Sequence, residues 1–136
     1  SLNLFTSFGY FKNDQDDQKA ILAMVKNLKK NGILIIDFMN VKKIIDSLVL
    51  ENLEVINGIR FSVKREIVKN RIVKSIKVID KSKTLYFQEK VKTLMLEDFT
   101  KILKEACVEI IDIFGSYSLD EFDEKVSDRL ILIAKK

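Results

Sequence analysis

The sequence predicts an α/β fold that carries an antiparallel insertion, and three observations indicate it. The segment Gly32–Asn40 contains an uninterrupted apolar run, Ile33–Ile36, in which β-branched residues dominate. Such a run is typical of a strand buried on both faces of a parallel sheet. An amphipathic helix pattern precedes this run, and from Phe61 onward the apolar spacing changes from helical to alternating. Helices that cover a parallel sheet explain the first two observations, and a β-meander explains the third.

The N-terminal segment predicts the end of a strand at Leu2–Thr6, followed by the loop Ser7–Phe11, which is rich in aromatic residues. Ligands of open α/β sheets bind in the loops that follow the carboxyl ends of parallel strands. One interpretation makes the aromatic side chains the walls of a ligand pocket, and the other has them fill the top of the core. The candidate pocket residues of this segment are Asn3, Phe5, Thr6, Phe8, Tyr10 and Phe11.

The next segment predicts a helix that begins near Asn13 or Asp14 and ends at Asn31–Gly32. Its apolar stripe has helical spacing and consists of Ile21, Met24, Val25 and Leu28. The central strand then carries one charged residue, Asp37, near its carboxyl end. This side chain could act as a catalytic or ligand-orienting carboxylate, or it could anchor nearby backbone amides.

A short helix with Asn40 as its cap is predicted next, and an antiparallel insertion over residues 54–93 follows it. Alternating apolar residues indicate three strands, around Phe61–Ile67, Ile72–Val78 and Leu85–Val91. Arg65, Lys74 and Glu89 occupy inward positions of this pattern. Because a lone buried charge is costly, these side chains must form cross-strand ion pairs, reach water or face a polar ligand. Arg65 and Glu89 are therefore also candidate substrate-pocket residues.

The C-terminal third predicts a helix over Leu96–Ala106 and two apolar strands, Val108–Phe114 and Arg129–Ala134. Between the strands lies the acidic loop Gly115–Asp128. It could hold a divalent cation or serve as a solvated connector, although its spacing matches no compact calcium loop, and no metal site is predicted. Cys107 ends the helix before an apolar segment and is predicted to be a core thiol.

Length and composition favour one domain, residues 1–136, with 47% hydrophobic residues. No apolar run reaches the roughly 20 residues that a membrane span needs, and the single cysteine excludes an internal disulfide, so a cytoplasmic protein is expected. The net charge of +4 comes from lysines scattered beside acids, and nucleic-acid binding is not expected. The absence of histidine excludes Ser-His-Asp triads and most zinc sites.

Several segments together resemble class I S-adenosylmethionine-dependent methyltransferases. They correspond in order to the end of the family's fourth strand, the turn before its fifth strand, that strand, the lead-in to its last helix and its terminal hairpin. They are Asn3–Phe11, Leu28–Gly32 (with Asn31 in place of the family's proline), Ile35–Asn40, Phe87-x-Glu89-x-Val91 with Leu96–Phe99, Phe114-Gly115-x-Tyr117, and Arg129–Lys136. One departure is Cys107-Val108, where the family usually turns with a glycine and an aromatic residue.

The resemblance implies a partial Rossmann-like methyltransferase fold, from the end of strand four to strand seven. The family binds its cofactor at a glycine-rich turn after its first strand. The four glycines here are Gly9, Gly32, Gly58 and Gly115, so they cannot build that turn. The resemblance therefore implies S-adenosylmethionine as the cofactor of a complete enzyme, with no cofactor-binding residue and no expected cofactor in this chain alone.

Two functions remain from the sequence. The chain is the substrate-side half of a methyltransferase that acts on a small molecule and is inactive alone, or it is a non-catalytic module that kept this half of the fold for dimerisation or binding. No catalytic residue is identified, and the acceptor atom is not predicted. Strands that are apolar on both faces would leave one sheet face bare without the N-terminal half, so a homodimer or higher homo-oligomer is expected.

Overall fold

The computed structural model describes residues 1–136, and the chain divides into two compact units. The core unit comprises Ser1–Asp46 and Leu94–Lys136, and the meander unit comprises Ser47–Thr93. The single-domain count for the chain stays a prediction. No helix is long and apolar enough to cross a membrane.

Eight strands and three helices make up the two units. In chain order they are β1 (Leu2–Asn3), α1 (Asp14–Lys26), β2 (Ile33–Met39), α2 (Val41–Asp46), β3 (Glu51–Ile56), β4 (Ile59–Ile67), β5 (Arg71–Asp80), β6 (Lys83–Lys92), α3 (Leu96–Glu105), β7 (Glu109–Phe114) and β8 (Arg129–Lys135).

The core unit is a four-stranded mixed sheet with strand order β1-β2-β8-β7. β1 runs parallel to β2, whereas β8 is antiparallel to both of its neighbours. The carboxyl ends of β1 and β2 therefore lie at the same edge of the sheet, as predicted. This edge is where the aromatic loop begins and where Asp37 stands.

The two faces of the core sheet are covered unequally. Leu34, Ile36 and Phe38 alternate along β2 on one face and are fully buried. On that face the ring of Phe99 in α3 lies 5.2 Å from the ring of Phe38, and α1 packs beside α3. On the other face Ile33 is exposed and Ile35 is only half-buried. The predicted bare face is therefore present only at the start of β2, because Asp37 and Met39 on the same face are buried.

Two local predictions for the core unit need correction. β1 ends at Asn3 and not at Thr6, because Phe5 and Thr6 both turn into the left-handed region. Cys107 is not a core thiol. It is exposed and left-handed, with a φ of 56°, and its amide donates to the Lys104 carbonyl at the end of α3. The cysteine therefore occupies the position where the family resemblance led us to expect glycine.

The meander unit has four strands in the order β3-β4-β5-β6, all antiparallel. The prediction of three strands missed β3, and the unit begins at Ser47 and not at residue 54. β3 is an edge strand whose Glu51, Asn52 and Glu54 interrupt the apolar pattern. An edge strand needs little apolar surface, so its hydrophobic signal is weak.

One face of the meander sheet is apolar by register, since strand residues alternate between faces. Leu85 and Phe87 of β6 are exposed on this face. The apolar residues that share the face are Phe61, Val63, Ile76, Val78, Leu85 and Phe87. The meander unit itself contains no second layer to cover them.

Candidate functional site

Asp37 stands at the centre of the candidate site. The alternation of β2 places it on the face opposite Ile36 and Phe38, near the strand's carboxyl end. The residue is only 1% exposed. An ionised carboxylate in this position is stable only if hydrogen bonds and an opposite charge replace its water.

Three residues distant in sequence supply those interactions. The Arg129 guanidinium approaches Oδ1 through Nε at 2.8 Å and Nη2 at 2.6 Å. The Oδ2 atom accepts hydrogen bonds from the Phe5 backbone N–H at 2.8 Å and from the Tyr117 hydroxyl at 2.9 Å. Both oxygens are thus satisfied within the chain, and the carboxylate is paired with a cation.

Phe5 and Thr6 have a strained backbone at this point. Their φ angles are 58° and 56°, a region that costs roughly 1–2 kcal/mol for each non-glycine residue. A β-branched residue such as threonine is a rare occupant. The Thr6 amide donates to the Asp37 carbonyl at 3.0 Å, and its Oγ1 accepts from Arg129 Nη2 at 3.1 Å. Asp37 therefore anchors backbone amides, and a catalytic or ligand-orienting role of its carboxylate stays a prediction.

The aromatic residues of the loop after β1 do not all have the same environment: one fills the core and three are exposed. Phe8 is 2% exposed, and its ring lies 5.8 Å from the ring of Phe99, so this residue fills the core. Phe5 is 76% exposed, and Tyr10 and Phe11 are about half exposed. These three side chains are therefore accessible to solvent.

Asn3 and Thr6 were the predicted polar members of the site. Thr6 is bound to Arg129, whereas the Asn3 side-chain oxygen is buried without a hydrogen-bond partner. The structure therefore gathers Asn3, Phe5, Thr6 and Asp37 at one edge of the core sheet.

Arg65 and Glu89 belong to the meander unit, where other residues partner them. Glu89 pairs with Lys74 directly across the β5–β6 ladder at 3.4 Å, and Arg65 donates to the Asn52 side chain at 2.7 Å. The ion-pair interpretation is confirmed for Lys74 and Glu89. A substrate-contacting role of Arg65 or Glu89 stays a prediction.

The loop between β7 and β8 brings Tyr117 to the site and is held in part by two side chains from outside the loop, Asn40 and Lys43. The Asn40 side-chain amide donates to the carbonyls of Glu124 and Ser127, both at 2.8 Å. Lys43 binds Asp128 at 2.6 Å and lowers the pKa of that carboxyl. No group of three or more potential metal-ligating side chains gathers in this loop or elsewhere in the chain.

The Tyr117 hydroxyl is electrostatically perturbed. Partial removal from water is the largest cause that raises the pKa of the phenol, and the hydrogen bond to Asp37 is the second. Arg129, whose guanidinium carbon lies 5.7 Å from the ring centroid, opposes this shift. The hydroxyl therefore stays a hydrogen-bond donor to Asp37 at neutral pH.

Sequence reasoning did not assign Arg129 and Tyr117 to the site. The sequence predicts Arg129 as the first residue of an apolar strand, within the segment that resembles the family's terminal hairpin. One signal was available, because a charged residue at each of two paired strand ends, Asp37 and Arg129, suggests a buried ion pair if the strands are neighbours. Only the β2–β8 register makes these two residues neighbours.

Two of the four glycines, Gly32 and Gly115, are required for close packing within the chain. A Cβ on Gly115 would lie 2.1 Å from Ser127 Oγ, and one on Gly32 would lie 2.8 Å from the Lys29 carbonyl oxygen. These glycines allow close packing against the chain itself and not against a ligand. The surroundings of Gly58 are open, with no atom within 4 Å.

Solved methyltransferase structures match the fold. A S-adenosylmethionine-dependent methyltransferase from Clostridium acetobutylicum matches with a TM-score of 0.83 at 20% identity, over 98% of this chain and 56% of that one. The CcbJ methyltransferase from Streptomyces caelestis matches with a TM-score of 0.79 at 9% identity, over 98% and 58%. The sugar N-methyltransferase KedS8 from a Streptoalloteichus species matches with a TM-score of 0.65 at 15% identity, over 97% and 54%.

No protein-family model and no curated protein matches the sequence. The chain spans about half the length of the solved structures that it matches. This partial coverage agrees with the expectation of a C-terminal half. The chain therefore has the fold of S-adenosylmethionine-dependent methyltransferases over about half of their length.

Proposed function

We propose that the chain is the substrate-side half of a S-adenosylmethionine-dependent methyltransferase that acts on a small molecule. The observation that carries the proposal is the aromatic loop at the carboxyl edge of β1 and β2, with Phe5, Tyr10 and Phe11 exposed in a chain of this fold. Ligands of open α/β sheets bind at this edge.

The chemistry of methyl transfer suits such a site. An in-line displacement depends chiefly on holding the acceptor atom in line with the methyl donor, and a well-oriented pair gains rate without an acid or base. Exposed aromatic side chains at this edge would orient a small acceptor by contact with its apolar surface. When bound, S-adenosylmethionine supplies the methyl group, and residues outside this chain hold it in the complete enzyme.

Titration calorimetry on the 136-residue chain tests the cofactor part of the proposal. We expect no binding of S-adenosylmethionine at micromolar to millimolar concentrations, because no glycine-rich turn is available. A micromolar dissociation constant would mean that this chain has a cofactor site of its own.

The activity itself is tested on the protein encoded by the whole reading frame that contains the chain. We expect a glycine-rich βαβ unit ahead of Asn3, and methyl transfer from labelled S-adenosylmethionine to members of a panel of small amines, alcohols and carboxylates. If the extended protein binds the cofactor but labels nothing in the panel above the rate of a Phe5→Ala, Tyr10→Ala double variant, the small-molecule assignment is wrong.

A second candidate, a non-catalytic module that dimerises, is favoured by uncovered apolar surface. Ile33 and Ile35 are accessible on one face of the core sheet, and Leu85 and Phe87 are exposed in the meander unit. A homodimer would bury such faces. Light scattering on a sizing column decides the point, since a 15.8 kDa monomer at all micromolar concentrations excludes this candidate.

A further inference from the structure

The two left-handed residues after β1, Phe5 and Thr6, are held by three hydrogen bonds from only two residues. Asp37 accepts the Phe5 amide with its carboxylate at 2.8 Å and the Thr6 amide with its backbone carbonyl at 3.0 Å. Arg129 donates to Thr6 Oγ1 at 3.1 Å while it also binds the Asp37 carboxylate. Asp37 comes from β2 and Arg129 from β8, so the loop is attached to two strands of the sheet.

We propose that Asp37 and Arg129 are positioning residues that clamp Phe5 and Thr6 in the left-handed conformation, and that Phe5 thereby becomes a specificity-determining wall of the acceptor site. The clamp involves only residues of this chain and does not depend on the proposed function. The role of Phe5 in specificity rests on the proposed function.

The surroundings of Phe5 explain why a clamp is needed. Its side chain is largely exposed, so few contacts of its own hold the ring in place. Without the hydrogen bonds, an L-residue relaxes to negative φ. That change would swing the ring to a different direction and release the start of the loop. The other end of the segment is already fixed, because Phe8 is buried against Phe99.

Tyr117 connects a second loop, the one between β7 and β8, to the same clamp. Its hydroxyl shares Asp37 Oδ2 with the Phe5 amide, and its ring lies beside the Arg129 guanidinium. The loop between β7 and β8 is thus tied to the aromatic loop through one carboxylate. A conformational change in either loop would therefore alter the hydrogen bonds that Asp37 accepts.

Residue-resolved hydrogen exchange on the 136-residue chain tests the clamp. In Asp37→Asn and Arg129→Lys variants we expect the Phe5 and Thr6 amides to exchange about tenfold faster or more, while the amides of Leu34 and Ile36 keep their protection. Lys19→Gln is the matched control, since it removes an ion pair with Asp16 on α1, an element of the same unit that carries no clamp residue. Unchanged exchange at Phe5 and Thr6 in both clamp variants would overturn the proposal.

A comparison of glycine and alanine at position 5 keeps the test informative if Asp37→Asn does not fold. Glycine accepts a positive φ without the steric cost that alanine carries. We therefore expect Phe5→Gly to melt at a higher temperature than Phe5→Ala in the otherwise native chain. In the Arg129→Lys background the order should disappear or reverse, because residue 5 is then free to adopt negative φ. A purely general loss of stability would lower both melting temperatures and leave their order intact.

The remaining outcomes are equally decisive. If Phe5→Ala melts above Phe5→Gly in the native background, residue 5 is not held left-handed and the clamp is overturned. If the order survives Arg129→Lys, Arg129 is not part of the clamp. Both readouts concern conformation, so their failure leaves the methyltransferase proposal standing.

The role of Phe5 in specificity is tested by measuring kcat/KM for Phe5→Leu and Phe5→Ala variants of the extended enzyme. The proposal expects ratios of kcat/KM between large and small acceptors to change at least about fivefold, with Leu85→Ala in the meander unit as a control. Unchanged ratios in an active enzyme would remove Phe5 from the acceptor site.

Discussion

The two units of the chain treat charged residues at inward strand positions in opposite ways. In the core unit Asp37 is buried and has lost its water, so it is bound by Arg129 and two further donors. In the meander unit Lys74 and Glu89 pair across the ladder but keep about a third and a half of their side chains exposed. The same sequence feature, a charge in an apolar register, is therefore buried and fully partnered only where adjoining loops and a neighbouring strand exclude water from it.

Apolar residues follow the same division. Phe99 in helix α3 of the core unit keeps the helical apolar period and is completely buried against Phe8 and Phe38. Phe87 in strand β6 of the meander unit keeps the strand period and is 54% exposed. Periodicity predicts which face a residue joins. The presence of a layer on that face decides what the residue contributes to stability.

The largest expected effect comes from aromatic truncation in the two units. Phe99→Ala should lower the free energy of unfolding by about 4 kcal/mol, because it removes a fully buried ring and leaves a cavity. Phe87→Ala should cost less than about 1 kcal/mol in a monomer, since the ring is half exposed. Urea unfolding measures both. A large loss for Phe87→Ala that depends on protein concentration would show that a second copy covers the meander face.

Removal of one carboxylate sharpens the contrast between the charges. Asp37→Ala should cost about 3 kcal/mol, because it strands the Arg129 cation and the Phe5 amide at a partly buried site. Glu89→Ala should cost less than about 1 kcal/mol, as is usual for exposed ion pairs. The double variant Asp37→Ala, Arg129→Met should recover part of the loss in the same urea experiment. Equal losses for Asp37→Ala and Glu89→Ala would erase the distinction between the units.

Glycine replacement gives an intermediate effect. Gly115→Ala should cost about 2 kcal/mol, because the new Cβ would collide with Ser127 Oγ at 2.1 Å and displace its bond to the Asp123 amide. Gly58→Ala, in an open turn with a φ of 80°, should cost about 1 kcal/mol from backbone conformation alone. Thermal melts compare them. Ser127→Gly should rescue Gly115→Ala partially and should leave Gly58→Ala unchanged.

The smallest effect concerns the Tyr117 phenol. Its pKa is raised in the folded protein, so the folded state holds this proton more tightly than the unfolded state. The associated stability is fully present below the unfolded value of about 10 and is lost as pH rises through the higher folded pKa. The tyrosinate absorbance of the native chain minus that of Tyr117→Phe isolates this titration. Asp37→Asn should move its midpoint toward 10, and an unmoved midpoint would contradict the hydrogen bond.

Much of the architecture could be predicted from local patterns. The stripe at Ile21 and Val25, the apolar run of β2 and the alternation from Phe61 onward are each set by nearby residues, because helix and strand periods repeat every two to four positions. The fold class and the order of elements follow from these patterns. β3 was not predicted, because an edge strand buries few side chains and so its hydrophobic residues show no strong periodicity.

The candidate site could be predicted only in part. The aromatic residues and Asp37 stand out in the sequence, since an aromatic loop and a lone charge after a buried strand are local features. Which aromatic residue fills the core was decided by Phe99, a residue more than ninety positions from Phe8 in the chain. Periodicity carries no information about such a partner.

The sequence by itself determined that this chain folds as helices and strands around β2, with an antiparallel insertion. Only the tertiary structure decided that Asp37 meets Arg129 and Tyr117, and that Phe5 and Thr6 turn left-handed beside them. The reason is physical. Secondary structure depends on interactions within a few residues, whereas a buried carboxylate takes its donors from whatever strands the sheet register brings to it.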